Sequence, residues 1–163
     1  KREAPTKGEA RDSLIPSALD GVPRSLPALL EAYQMTRRAA QVGFDWVTVD
    51  GIFAKMKEEV AELQAELADL RRTQAKAEVS KKAEVEMGDI LFVAVNLARF
   101  LGFDPEVALK QSNLKFKSRF HLMEAEAAQA GQRLSQLSKD ELEALWESAK
   151  AKSKVSQETG IFK

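Results

Sequence analysis

Between residues 50 and 72 apolar side chains recur at Phe53, Met56, Val60, Leu63, Leu67 and Leu70, in steps that alternate three and four. Only an α-helix gathers such positions on one side, because each residue advances the chain by ~100°. A strand, with its period of two, would scatter them over both faces. The chain offers neither an alternating apolar run nor a hairpin turn anywhere. The predicted fold class is therefore all-α, a helical bundle of about four to five helices.

The remaining elements follow from caps and breakers. Ser25 as N-cap, with Pro27 in the first turn, predicts a helix from 25 to about 42, ended by Gly43. Leu26, Leu29, Leu30 and Tyr33 give it one apolar side. Residues 73–78 read as a polar connection to a third helix over about 79–101, starting at Val79, with Gly102 just beyond its end. Asp104-Pro105-Glu106 pairs an N-cap with Pro at the first helical position, opening a fourth helix that runs to about Ala130. Ser138-Lys139-Asp140-Glu141 is a capping box for a short last helix bearing Trp146, followed by a polar tail from Ser153. Residues 1–24, with Pro5, Gly8, Pro16, Gly21 and Pro23, read as a flexible linker or tail, and 151–163 as a polar C-terminal tail. The domain proper then spans 25–150. Apolar residues on more than one face of these helices argue that a second subunit completes the core.

Two acidic pairs stand out on these helices. Glu59 and Glu62 lie i, i+3 on the second helix, and Glu86 and Asp89 lie i, i+3 on the third. The second pair opens Ile90–Leu101, a segment apolar almost all round. Acids beside such a segment are costly to bury unless a cation compensates them. Either pair alone has an ordinary explanation, a solvated face for the first and a salt bridge to Lys82 for the second. Both together, on adjacent helices, favour a divalent metal, and carboxylate-held Mg2+ commonly serves phosphates. Four carboxylates suit one ion, or two ions about 4 Å apart, and such a site activates water. Lys55, Lys82, Lys115 and Arg119 lie near the acidic or apolar stripes, where cations would balance phosphate charge. Asn96 continues the polar stripe of Glu86, Asp89 and Val93 at i+10. Trp146 is a candidate face for stacking a base. His121, without a sequence partner, is assigned no role.

Composition narrows the function classes. The 163 residues suit one domain with its own core. Lys plus Arg equals Asp plus Glu at 25 each, so no basic field argues for nucleic acid. Without cysteine there are no disulfides, thiol nucleophiles or Cys-held zinc, which fits a reducing cytoplasm. No apolar run approaches the ~20 residues of a membrane span. One histidine is too few for a di-iron carboxylate bundle, which uses two E-x-x-H motifs.

The motif E-x-x-E, a 23-residue spacer and E-x-x-D, here Glu59, Glu62, Glu86 and Asp89, resembles that of the MazG nucleoside triphosphate pyrophosphohydrolases. The blocks D-G-V-P-R-S-L-P-A-L-L-E-A-Y, R-R-A-A-Q-V-G-F-D-W, M-G-D-I-L-F-V-A-V-N-L-A-R and N-L-K-F-K-S-R-F extend the similarity over roughly residues 21–150. The resemblance implies Mg2+-dependent hydrolysis of NTPs and dNTPs to monophosphate and pyrophosphate, with Mn2+ as a substitute ion, by a homodimer or larger assembly in nucleotide-pool housekeeping. It implies metal ligation by Glu59, Glu62, Glu86 and Asp89, and a catalytic part for Glu58. It places Lys55, Lys82, Asn96, Lys115 and Arg119 at the nucleotide, with Trp146 on the base. The N-terminus, which does not begin with Met, resembles the junction before the C-terminal copy of two-domain MazG proteins, so the chain is expected to be the C-terminal catalytic half. The competing expectation is a non-catalytic helical dimerisation module that retains the acidic motif.

Overall fold

The computed structural model describes residues 16–73 and 76–158, without the side chains of 70, 71, 73, 76–80 and 155–158. The helical elements are α1 (Ala28–Gln41), α2 (Val49–Thr73), α3 (Lys76–Phe100), α4 (Pro105–Gln129), a short 3-10 turn (Leu134–Gln136) and α5 (Lys139–Glu158). Among the described residues there is no strand. The described residues divide into two compact units, with the boundary between Phe103 and Asp104.

In the first unit α3 packs against both α1 and α2. Ile52 of α2 and Val93 and Val95 of α3 are buried. On α2 the predicted stripe divides into two lines: Met56 and Leu63 are half-buried, whereas Phe53, Val60 and Leu67 stay exposed. The Leu70 side chain lies outside the described side chains, and α3 begins at Lys76, within the stretch 73–78 expected to be a connection and before the expected start at Val79.

Helix α1 starts later than expected. Its N-cap is Pro27, at φ −52° and ψ 142° without a side-chain cap, so Ser25 does not cap it. The reason is steric: proline pushes the residue before it out of the helical region, so Leu26 cannot join the helix. Residues 16–24, within the stretch read as a linker or tail, form turns tied to α1 by Arg38, whose guanidinium donates to the carbonyls of Ala18 (3.2 Å), Asp20 (2.7 Å) and Gly21 (3.4 Å). At its other end Gly43 takes φ +88°, and the N–H groups of Gly43 and Phe44 donate to the carbonyls of Ala40 and Ala39, both at 3.0 Å. This left-handed closure is open to glycine at little cost and turns the chain into Phe44-Asp45-Trp46.

The second unit pairs α4 with α5 around Met123, Ala127 and Ala149. Asp104 caps α4 as expected, its carboxylate accepting from the Val107 N–H at 3.0 Å, with Pro105 at the first helical position. The capping box at Ser138 is also present. Ser138 Oγ accepts from the Glu141 N–H at 3.3 Å, and Glu141 Oε2 accepts from the Ser138 N–H at 2.8 Å. The Ser138 hydroxyl also donates to Glu141 Oε2 at 2.7 Å, and this bond first, then the one from the Ser138 N–H, holds the Glu141 carboxyl below its ordinary value. Ser138→Ala is expected to cost about 1 kcal/mol, read as a lower urea midpoint at unchanged slope. Helix α5 is not short: it continues to Glu158. Arg119 of α4 reaches across to donate to Ser153 Oγ at 3.0 Å, and Lys152 pairs with Glu126 of α4. These contacts give polar positions near the end of α5 a partner in α4.

Candidate metal centre and adjoining cavity

Glu59 lies on the side of α2 that meets α3 and is only 4% exposed. Helical spacing sets Glu62 one turn further along the same side. Glu86, on α3, faces them. One carboxylate oxygen from each of Glu59, Glu62 and Glu86 lies within 4.8 Å of the other two. Partial burial, then the charges of Glu59 and Glu86, raise the Glu62 carboxyl above its ordinary value. Among the described residues neither Glu62 nor Glu86 makes an ion pair. Lys55 is the cation that meets this cluster. Its Nζ lies 2.7 Å from Glu59 and 2.8 Å from Glu58, and those two carboxylates raise its pKa above the usual lysine value. One lysine for three converging acids leaves negative charge uncompensated. Hard oxygen donors with surplus charge are what Mg2+, Ca2+ or Mn2+ bind.

Glu59, Asp89 and Lys55 also line a cavity of about 630 Å3, within the range that holds a small molecule. Its wall carries Phe44, Trp46 and Phe92, and Asn96, Arg99 and Asp45 lie on it too. Leu19 closes part of it, which is the consequence of Arg38 holding residues 18–21 against α1. Trp46 is positioned by a close approach at the start of α2. A Cβ on Gly51 would sit 3.2 Å from the indole, and the Gly51 N–H donates to Thr48 Oγ1 at 3.2 Å.

The structure therefore gathers Glu59, Glu62 and Glu86, places Asp89, Lys55 and Asn96 on the adjoining cavity, and leaves Glu58 exposed on the far side of Lys55. Lys82 is exposed on α3, two turns before Asp89. Lys115, Arg119 and Trp146 belong to the second unit. There Trp146 packs against Phe116 at 5.4 Å, and the Arg119 guanidinium sits 5.8 Å from the indole centroid. That is a cation–π arrangement with one flat face already occupied by Arg119.

Sequence reasoning gave no role to Phe44, Asp45, Trp46 or Arg99. Asp45 accepts a bidentate pair of hydrogen bonds from Arg99, 54 residues away, and takes the Trp46 N–H at 2.8 Å. The hydrogen bond from Arg99 is the main cause that lowers the Asp45 carboxyl below its ordinary value. The available signal was local: an acid between two aromatics in G-F-D-W, placed between two helices.

Against known proteins, the chain is 42% identical over 134 residues to the nucleoside triphosphate pyrophosphohydrolase of Escherichia coli (strain K12), covering 82% of this chain and 49% of that protein. It is 39% identical over 125 residues to the nucleoside triphosphate pyrophosphohydrolase/pyrophosphatase MazG of Thermotoga maritima, covering 77% of this chain and 45% of that protein. The chain thus spans about half the length of the curated relatives it matches. No family model matches it.

Proposed function

We propose that this chain, a member of the MazG family, hydrolyses nucleoside triphosphates to the monophosphate and pyrophosphate with Mg2+ as cofactor. The observation that carries the proposal is the convergence of Glu59, Glu62 and Glu86 beside an aromatic-walled cavity. Acid cluster and cavity share Glu59, so phosphates at the acids and a base in the cavity would be parts of one ligand.

Glu59, Glu62, Glu86 and Asp89 would hold the Mg2+. The bound ion would neutralise the phosphates and supply an activated water. Lys55, already paired to Glu58 and Glu59, would exchange a carboxylate partner for a phosphate once the metal takes Glu59. Glu58 is exposed and next to that lysine, a placing compatible with a proton-accepting part in catalysis. Lys82, Lys115, Arg119 and Trp146 keep the nucleotide-contacting roles that the resemblance implies, and Mn2+ the role of a substitute ion.

The working form would be a homodimer or larger assembly. Phe53, Val60 and Leu67 recur every seven residues along α2 and are all exposed. An exposed apolar seam of that period suits a second helix. Among the described residues no helix is long and apolar enough to cross a membrane. The chain's place would be the cytoplasm, in clearing unwanted nucleotides from the pool, and its extent would be a catalytic domain over 25–150.

The test is pyrophosphate release from a panel of NTPs and dNTPs. Release in Mg2+ and none in EDTA is expected, with monophosphate formed in equal amount. No product from any nucleotide would overturn the reading in favour of a helical dimerisation module that keeps the acidic motif without the reaction.

A further inference from the structure

Asn96 is held in one orientation by a partner that has no choice of role. Arg99 Nε and Nη2 donate to Asn96 Oδ1 at 3.0 and 2.8 Å. A guanidinium has donors only, so the carboxamide oxygen must face it. Arg99 is fixed in turn: Nη1 donates to Asp45 Oδ2 at 3.1 Å and Nη2 pairs with Asp45 Oδ1. With its side chain only 11% exposed, Arg99 is a nearly buried charge whose partner carboxylate comes from the α1–α2 connection. Among the described residues the Asn96 amide nitrogen makes no hydrogen bond. Asn96 lines the cavity, so what it offers a ligand there is its N–H donors.

We propose that Asp45 and Arg99 position Asn96 as a donor-only reader of the nucleobase edge that carries C6 of a purine or C4 of a pyrimidine, and that the cavity therefore prefers guanine, uracil and thymine, which have a keto oxygen there, over adenine and cytosine, which have an amino group there. The proposal rests on the nucleotide reading of this site given above. The aromatic walls at Phe44, Trp46 and Phe92 suit a flat ring, which they contact whatever its identity. The spacing fits as well. Asp89, at the acidic end, and Asn96 are seven residues apart on α3, about 10.5 Å along the helix at ~1.5 Å per residue. That is the scale of the step from a nucleotide's phosphates to the far edge of its base. Where guanine and uracil present an oxygen, adenine and cytosine present an amino group. An amino group would set donor against donor there. Sites that hydrogen-bond a substrate group discriminate strongly against analogues that lack it.

Asn96→Asp tests this, because it keeps the shape and replaces the donors by an acceptor. The readout is the ratio of kcat/KM for GTP and UTP over that for ATP and CTP. In the parental protein this ratio is expected to exceed one, and in Asn96→Asp to fall by roughly tenfold or more. Asp45→Asn, which loosens Arg99, lowers the same ratio by less and leaves the Mg2+ requirement in place. A binding measurement separates base reading from turnover. Isothermal titration of the parental protein with each nucleoside monophosphate supplies it. GMP and UMP should bind with lower Kd than AMP and CMP, and Asn96→Asp should erase the difference. If the protein hydrolyses all four triphosphates with equal kcat/KM, or if Asn96→Asp lowers all four equally, the base reading falls while the reaction stands. If no triphosphate is hydrolysed but GMP and UMP still bind preferentially and Asn96→Asp removes the preference, the reaction falls and the base reading stands.

Discussion

Glu86→Ala is expected to abolish Mg2+-dependent pyrophosphate release, a loss in kcat of at least roughly 10²–10³-fold, the scale seen when one preorganised electrostatic group is removed from an active site. The same change should make the metal-free protein more stable. Glu86 is one of three carboxylates whose oxygens gather within 4.8 Å, with Lys55 as their cation. Its charge is among the causes that raise the Glu62 carboxyl, so the folded state bears a repulsion that the unfolded chain relieves. Mg2+ should reverse the order of stabilities. Binding the folded parental protein, it stabilises by about 2.7 kcal/mol at a hundredfold excess over Kd. Glu86→Ala forgoes most of that. Thermal melts of both proteins with and without Mg2+, beside the pyrophosphate assay, give the four values required. A variant that turns over NTPs at the parental rate would remove Glu86 from the metal site.

The parts legible in the sequence were those set by local rules. The three-and-four stepping of Phe53 to Leu67 specified α2, and i, i+3 spacing put Glu59 beside Glu62. Asp104 and Ser138 announced their helices by capping chemistry that needs only the next three residues. Local rules failed where a stronger local rule intervened, as Pro27 overrode Ser25, or where the contact was distant. The Asp45–Arg99 pair joins a loop to a helix 54 residues on, and no periodicity encodes that. The exposure of Phe53, Val60 and Leu67 was equally invisible, because a helical stripe reports that a face is apolar and not which of its two lines is covered. The cavity follows from these distant pairings, so the sequence pointed to the acids at its edge but not to the aromatic residues that wall it.

That distant pair yields the second large effect, on stability. Arg99→Ala is expected to destabilise the protein by roughly 2 kcal/mol. Breaking a fully buried pair costs about 3–5 kcal/mol, and the figure is discounted here because the Asp45 side chain is 31% exposed. The loss includes the two bonds to Asn96, whose oxygen would lack them on the cavity wall. The pH dependence identifies the source. The Arg99 hydrogen bond lowers the Asp45 carboxyl below its ordinary value of 3.8. A carboxyl whose folded pKa is depressed contributes stability that is present above the unfolded value and is lost as pH falls through the folded value. Parental and Asp45→Asn proteins should therefore differ by a constant amount in urea unfolding from neutral pH down to about pH 5. Below the ordinary value of 3.8 the gap should narrow, closing as Asp45 of the folded parent takes up its proton. A gap that keeps its neutral-pH size in acid would mean that Asp45 acts through its neutral hydrogen bonds, such as the 2.8 Å bond from Trp46, and not through the charge of Arg99.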